Sequence, residues 1–142
     1  MKRIAPIALF FAATFISAGG VMAQDHVAKA TVPFPFTVSG SSLPAGSYTI
    51  GSDSNSANTV IISDRNKSVH ILVLGLVNSS GPGKVSRLVF HKYGAKFFLS
   101  EVRYADSSLK VRFPVSTMEK RARSRAEEAS VPAGKEVLIA LN

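Results

Sequence analysis

The sequence predicts an all-β domain, an antiparallel sandwich or small barrel of about seven or eight strands with one short helix before the last strand. Three observations predict it. Apolar and polar residues alternate at period two through most of the chain beyond residue 31. Turns rich in Gly, Pro, Asn and Ser cut these runs into short pieces. One good helix start, Ser116-Thr117-Met118-Glu119, opens a run of helix formers.

In 32–38, Val32, Phe34, Phe36 and Val38 share one face. Pro33 and Pro35 remove N–H donors from one side of that run, which marks it as an edge. Leu43-Pro44-Ala45-Gly46 is a turn, followed by a short strand over 47–50. The runs 59–63 and 69–77 are the next two strands. The second is apolar on both faces, with Leu72, Leu74 and Leu76 opposite Val69, Ile71 and Val73, and is expected to be central and covered twice. A loop follows over 78–83.

Residues 85–91 and 96–104 form a hairpin turning at Tyr93-Gly94-Ala95. A two-residue loop places Leu88 and Phe90 with Phe97 and Leu99, and Val89, Phe98 and Val102 on the other face. A three-residue loop exchanges the two sets. Next come a strand over 109–113, a helix from Ser116 to about Ala129, and a last strand over 137–141. The helix carries few apolar residues (Met118, Ala122, Ala126, Ala129), enough for a narrow buried stripe.

The N-terminus reads as an export signal. Lys2 and Arg3 precede 13 residues, Ile4 to Ile16, that are apolar except for Thr14, and Val21-Met22-Ala23 fits a signal peptidase. Cleavage after Ala23 leaves a single β-rich domain, 24–142, with no stable membrane span and a periplasmic or extracellular location. No cysteine is present, which excludes disulfides, thiolate catalysis and cysteine metal sites. Past the leader, 15 Lys and Arg stand against 9 Asp and Glu. Outside the cytoplasm such an excess favours an anionic envelope surface, and export argues against nucleic acid.

No nucleophile elbow, phosphate loop or chelating His spacing occurs, so no catalytic residue, metal or cofactor is expected. His26, His70 and His91 are isolated from one another. Glu101 interrupts an apolar run and shares a strand face with Arg103, which predicts an ion pair. Lys120, Arg121, Arg123 and Arg125 are the candidate contact with an anionic surface. Because the chain has little to lay on the hairpin's second face, association is expected there, as a homodimer or with a protein partner, through Val89, Phe98 and Val102.

Three stretches, VPFPFTVSGSSLPAGSYTI from Val32, RLVFHKYGAKFFLSEV from Arg87 and PVSTMEKRARSRA from Pro114, resemble a family of small, uncharacterised exported proteins common in soil bacteria, notably acidobacteria. The first matches that family's F-x-F-x-V and L-P-A-G-x-Y elements. Pro35 departs from it, where a polar or acidic residue is expected. The resemblance implies export and a β fold and brings no chemistry. The resulting expectation is a non-enzymatic binding or structural module. The alternative is a lipocalin-like carrier of a small apolar ligand, for which an interior cavity is the distinguishing feature.

Overall fold

Among the described residues, eleven strands and one helix follow in the order β1 (Val27–Val32), β2 (Phe36–Val38), β3 (Ser41–Leu43), β4 (Gly46–Asp53), β5 (Ser56–Asp64), β6 (His70–Leu74), β7 (Leu76–Ser79), β8 (Arg87–Tyr93), β9 (Lys96–Arg103), β10 (Leu109–Arg112), α1 (Thr117–Glu128) and β11 (Lys135–Ala140). The structure, a computed structural model, describes residues 27–53, 55–66, 70–79, 85–105, 109–132 and 134–142. The expected leader over 1–23, its cleavage point and His26 lie outside the described residues, as does most of the 78–83 loop. The fold class is the expected one: mostly strands, with one short helix before the last.

One sheet has the order β1-β4-β5-β6. The other runs β11-β8-β9-β10-β7, with β2 attached to β9 through a parallel bridge at Thr37 and Phe98 and with β3 paired to β2. All other pairings are antiparallel, and one sheet curls as a half-barrel. Several joins link the sheets, including the return from β3 to β4 through Pro44 and Ala45. Pro33 to Pro35 carry the chain from β1 in the first sheet to β2 in the second, and the missing donors there interrupt what reads as a single strand. Gly75 does the same between β6 and β7. A Cβ at Gly75 would lie 2.4 Å from Val111 Cγ1 and 3.0 Å from the Arg112 carbonyl, so glycine lets β10 approach this closely. At the opposite edge, Lys29 and Asn142 exchange two backbone hydrogen bonds of 2.8 and 2.9 Å.

The expected central strand over 69–77 is corrected by this topology. Because the chain changes sheets at Gly75, β6 is an edge strand, and Leu72 and Leu74 stand 69% and 70% exposed on its outer face. Strand count rises above the expected seven or eight because the 32–38 and 69–77 runs are each divided between sheets and because β3 (Ser41–Leu43) forms where no strand was expected. β1 was only partly legible, because its inward residues at 28 and 30 are alanines.

Val32, Phe36, Val38, Ile50, Val60, Ile62, Val73, Leu88, Phe90 and Val111 fill the space between the sheets. Phe36 meets Tyr48 and Phe90 edge-on, both with ring centroids 5.3 Å apart, and Phe34 stacks on Phe97. The Tyr48 hydroxyl donates to the Pro44 carbonyl and so ties the Pro-Ala-Gly turn to the core. Burial of this apolar surface is the main driving force for the fold.

The β8–β9 hairpin turns through Gly94 and Ala95, with Tyr93 opposite Lys96 and Gly94 at φ +61. This is the two-residue register, so Phe90 faces Leu99 on the core side and His91 faces Phe98 on the other. A bulge then intervenes: Phe90 pairs with Leu99 but Val89 pairs with Glu101, leaving Ser100 extra. Beyond it the alternation inverts. Val102 enters the core opposite Leu88, and Glu101 turns to the outer face. Grouping Val102 with Phe98 is therefore corrected; the alternation from Phe98 onward carries no mark of the added residue.

The expected interface is corrected as well. Tyr93 and Phe98 pack against Ala122 and Ala126 of α1, so the hairpin's second face is covered by its own chain. Val89, Phe98 and Val102 are 2%, 3% and 0% exposed. The few small apolar residues of α1 suffice because alanines let the helix lie close to the rings beneath.

Tyr104 is buried, which pushes its hydroxyl up to about 12. The neutral phenol is the folded form, so the folded chain holds this proton where the unfolded chain, titrating near 10, has lost it. The associated stability is complete below pH 10 and lost as pH rises toward 12, by roughly 2–3 kcal/mol. Urea denaturation from pH 8 to 12 should show this decline, and Tyr104→Phe should flatten it.

Candidate functional site

α1 begins where the sequence pattern places it. Ser116 is extended (φ −72, ψ 161), and its hydroxyl accepts the Glu119 N–H at 3.2 Å, satisfying one of the open donors of the first turn. The other half of a capping box would return the Glu119 carboxylate to Ser116. Instead it turns down to the sheet, where Oε1 lies 3.0 Å from His91 Nδ1 and accepts the Tyr93 hydroxyl at 3.3 Å. Glu119 is 5% exposed. Burial raises the Tyr93 hydroxyl above its ordinary range, and the adjacent Glu119 charge raises it further. This trio pins the start of the helix over the hairpin. His91 seemed isolated in the sequence because its partner lies 28 residues away. The usable signal was that His91 and Tyr93 alternate onto the same face as Phe98.

A cleft of about 370 Å³ opens on the other side of α1, between the helix and β2–β9. It exists because β2 starts late. Pro35 offers no N–H, so β2 begins at Phe36; with Thr37 opposite Phe98 in parallel register, Lys96 falls opposite Pro35, outside the strand pairing. Phe98, buried beneath the helix, lies under the cleft, and Phe97 borders it from β9 with its ring turned inward onto Phe34. Pro35, Thr37 and Ser42 form one wall. The helix supplies the other with Met118, Ala122, Arg121 and Arg125, and Lys96 stands at the mouth. Met118 is 47% exposed although it is the largest apolar residue of α1, because it faces this opening.

The structure sorts the four cations expected to act together. Arg121 and Arg125, one helical turn apart, line the cleft. Lys120 lies beside them along the exposed side of α1. Arg123 is directed elsewhere and donates to Glu127 at 2.9 Å. Among the described residues no ion pair engages Lys96, Arg121 or Arg125, and no carboxylate lines the cleft. Other cations of the sheet's outer face are neutralised. Glu101 pairs with Arg103 as expected, with Arg112 at 3.5 Å and with Lys110 at 4.0 Å. It is 3% exposed rather than solvent-facing, since β10 brings two further cations to it.

A second hollow of about 410 Å³ lies over Lys29, Thr31, Ser47, Thr49 and Arg65. Ala30 and Tyr48 also line it, and its lining is more polar than that of the cleft. His70 sits on the outer face of the first sheet, 3.0 Å from the Ser63 hydroxyl. No group of three His, Asp or Glu among the described residues could hold a metal ion, and no helix among them is long and apolar enough to cross a membrane.

Two substitutions separate capping from pinning. Ser116→Ala removes one accepted hydrogen bond and should cost about 1 kcal/mol. Glu119→Ala strips the buried Tyr93 hydroxyl of its acceptor and should cost more, roughly 1–3 kcal/mol. Chemical denaturation of the two variants checks that order.

Compared with known proteins, the chain matches no family model, no curated protein and no solved structure.

Proposed function

We propose that this chain is an exported, non-enzymatic binding module whose ligand seat is the cleft between α1 and β2–β9. The single observation that carries the reading is that cleft: a concave site of about 370 Å³ with exposed Met118 and Pro35 in its walls and, among the described residues, cations without an ion pair at its edge. Ligand sites are commonly concave, mostly apolar and provided with a few convergent polar groups, and this volume lies within their usual range of roughly 300–1,000 Å³. Export rests on the leader at residues 1–23 and on the resemblance to exported β-rich proteins.

The packed interior favours a surface seat over an interior carrier. In a lipocalin-like barrel the ligand would occupy the space between the sheets, where Phe36, Tyr48 and Phe90 meet edge to face. The buried acid and phenol nearest the cleft, Glu119 and Tyr93, are spent on each other and on His91 beneath the helix, which supports a positioning role for them.

Ser42 lines the cleft from its exposed rim, so Ser42→Trp fills the opening without entering the core. Native mass spectrometry of the exported chain from its own host should reveal a small molecule retained by the wild type and lost from Ser42→Trp, at an unchanged melting temperature. A molecule retained equally by both, or by neither, contradicts this seat.

A further inference from the structure

We infer that the ligand of this cleft is a single-chain amphiphile with an anionic head, an acyl or alkyl chain ending in a carboxylate or phosphate. The inference rests on the binding-module reading and specifies what that module binds. Two properties of the cleft carry it. Apolar surface is on offer to a ligand: Met118 and Pro35 are exposed there. The charges at its edge have one sign: Lys96, Arg121 and Arg125 make no ion pair among the described residues, and no Asp or Glu lines the opening.

Other cations nearby are paired: Arg103, Lys110 and Arg112 converge on Glu101, and Arg123 is held by Glu127. Lys96, Arg121 and Arg125 make no such pair among the described residues, and they stand beside exposed apolar surface. Guanidinium groups one turn apart on α1 match an oxyanion, because each can present paired N–H donors to carboxylate or phosphate oxygens. Lys96 adds a point charge from the opposite side. A neutral apolar ligand would leave the three cations unused, and a free inorganic anion would leave Met118 and Pro35 wet. A chain with an anionic head meets both halves of the site.

The chemistry can come from a free single-chain molecule or from a lipid held in a bilayer, and the test separates the two. Isothermal titration of the mature wild-type chain would use dodecanoate and dodecyl phosphate below their aggregation concentrations, with dodecyl maltoside as the uncharged control of equal chain length. The anionic probes should bind with 1:1 stoichiometry and at least about tenfold more tightly than the maltoside. Arg121→Gln/Arg125→Gln should erase that preference while leaving maltoside binding in place, and Ser42→Trp should abolish binding of all three probes. Equal affinity for charged and uncharged heads, with loss in Ser42→Trp, would overturn the anionic head and leave the seat standing. Absence of binding by any probe overturns both. Cosedimentation with phosphatidylglycerol vesicles that Ser42→Trp leaves unchanged, with no binding of free probes, would assign the cations to a bilayer surface and also overturn the inference.

Discussion

The β8–β9 hairpin is apolar on both faces, and both faces have to be removed from water. Leu88, Phe90, Leu99 and Val102 turn inward and are met by the opposite sheet. Tyr93 and Phe98 turn outward and are met by Ala122 and Ala126. The position of the helix follows from that second requirement, and the cleft lies between it and the start of β2 that Pro35 sets. A bulkier helix face would stand off the rings, whereas alanines bring its axis close and leave the longer Met118, Arg121 and Arg125 projecting at its flank. Close contact with the sheet and a groove beside it are thus two results of one packing arrangement.

Ser100 makes the double-sided burial feasible. With uninterrupted alternation from Leu99, Glu101 would face the core and Val102 would face out. The extra residue reverses both, placing Val102 opposite Leu88 and Glu101 among Arg103, Lys110 and Arg112. A carboxylate without partners between two sheets would be costly, whereas on the outer face three cations surround it. The helix shows a comparable redirection. Glu119 forgoes the reciprocal capping bond and reaches His91 and Tyr93, so the residue that helps start the helix also orients it.

The fold class was legible because period-two alternation and turn residues report local geometry, and the Ser116 cap was legible because its spacing is local. The inward set of Leu88, Phe90, Phe97 and Leu99 followed from the two-residue Gly94-Ala95 loop. What the sequence concealed was non-local. The run 69–77 alternates without interruption, and its division at Gly75 is imposed by Val111 and Arg112 on a distant strand. The bulge at Ser100 leaves no mark in the residues themselves. The expected uncovered face came from counting apolar residues in the helix, when the size of Ala122 and Ala126 mattered more than their number. Of the cleft, the cations of α1 were visible in advance, but their partition between Glu127 and its edge depends on helical phase relative to the sheet.

The central claim is that α1, and no second molecule, buries the outer face of the hairpin. The most direct measurement is the effect of Phe98→Asp, with the wild type and variant compared by sedimentation velocity and circular dichroism at micromolar concentration. A charge placed under the helix has no partner there, so the account predicts a monomeric wild type and a variant that loses its cooperative unfolding transition. A wild-type dimer that Phe98→Asp converts into a folded, stable monomer would contradict it.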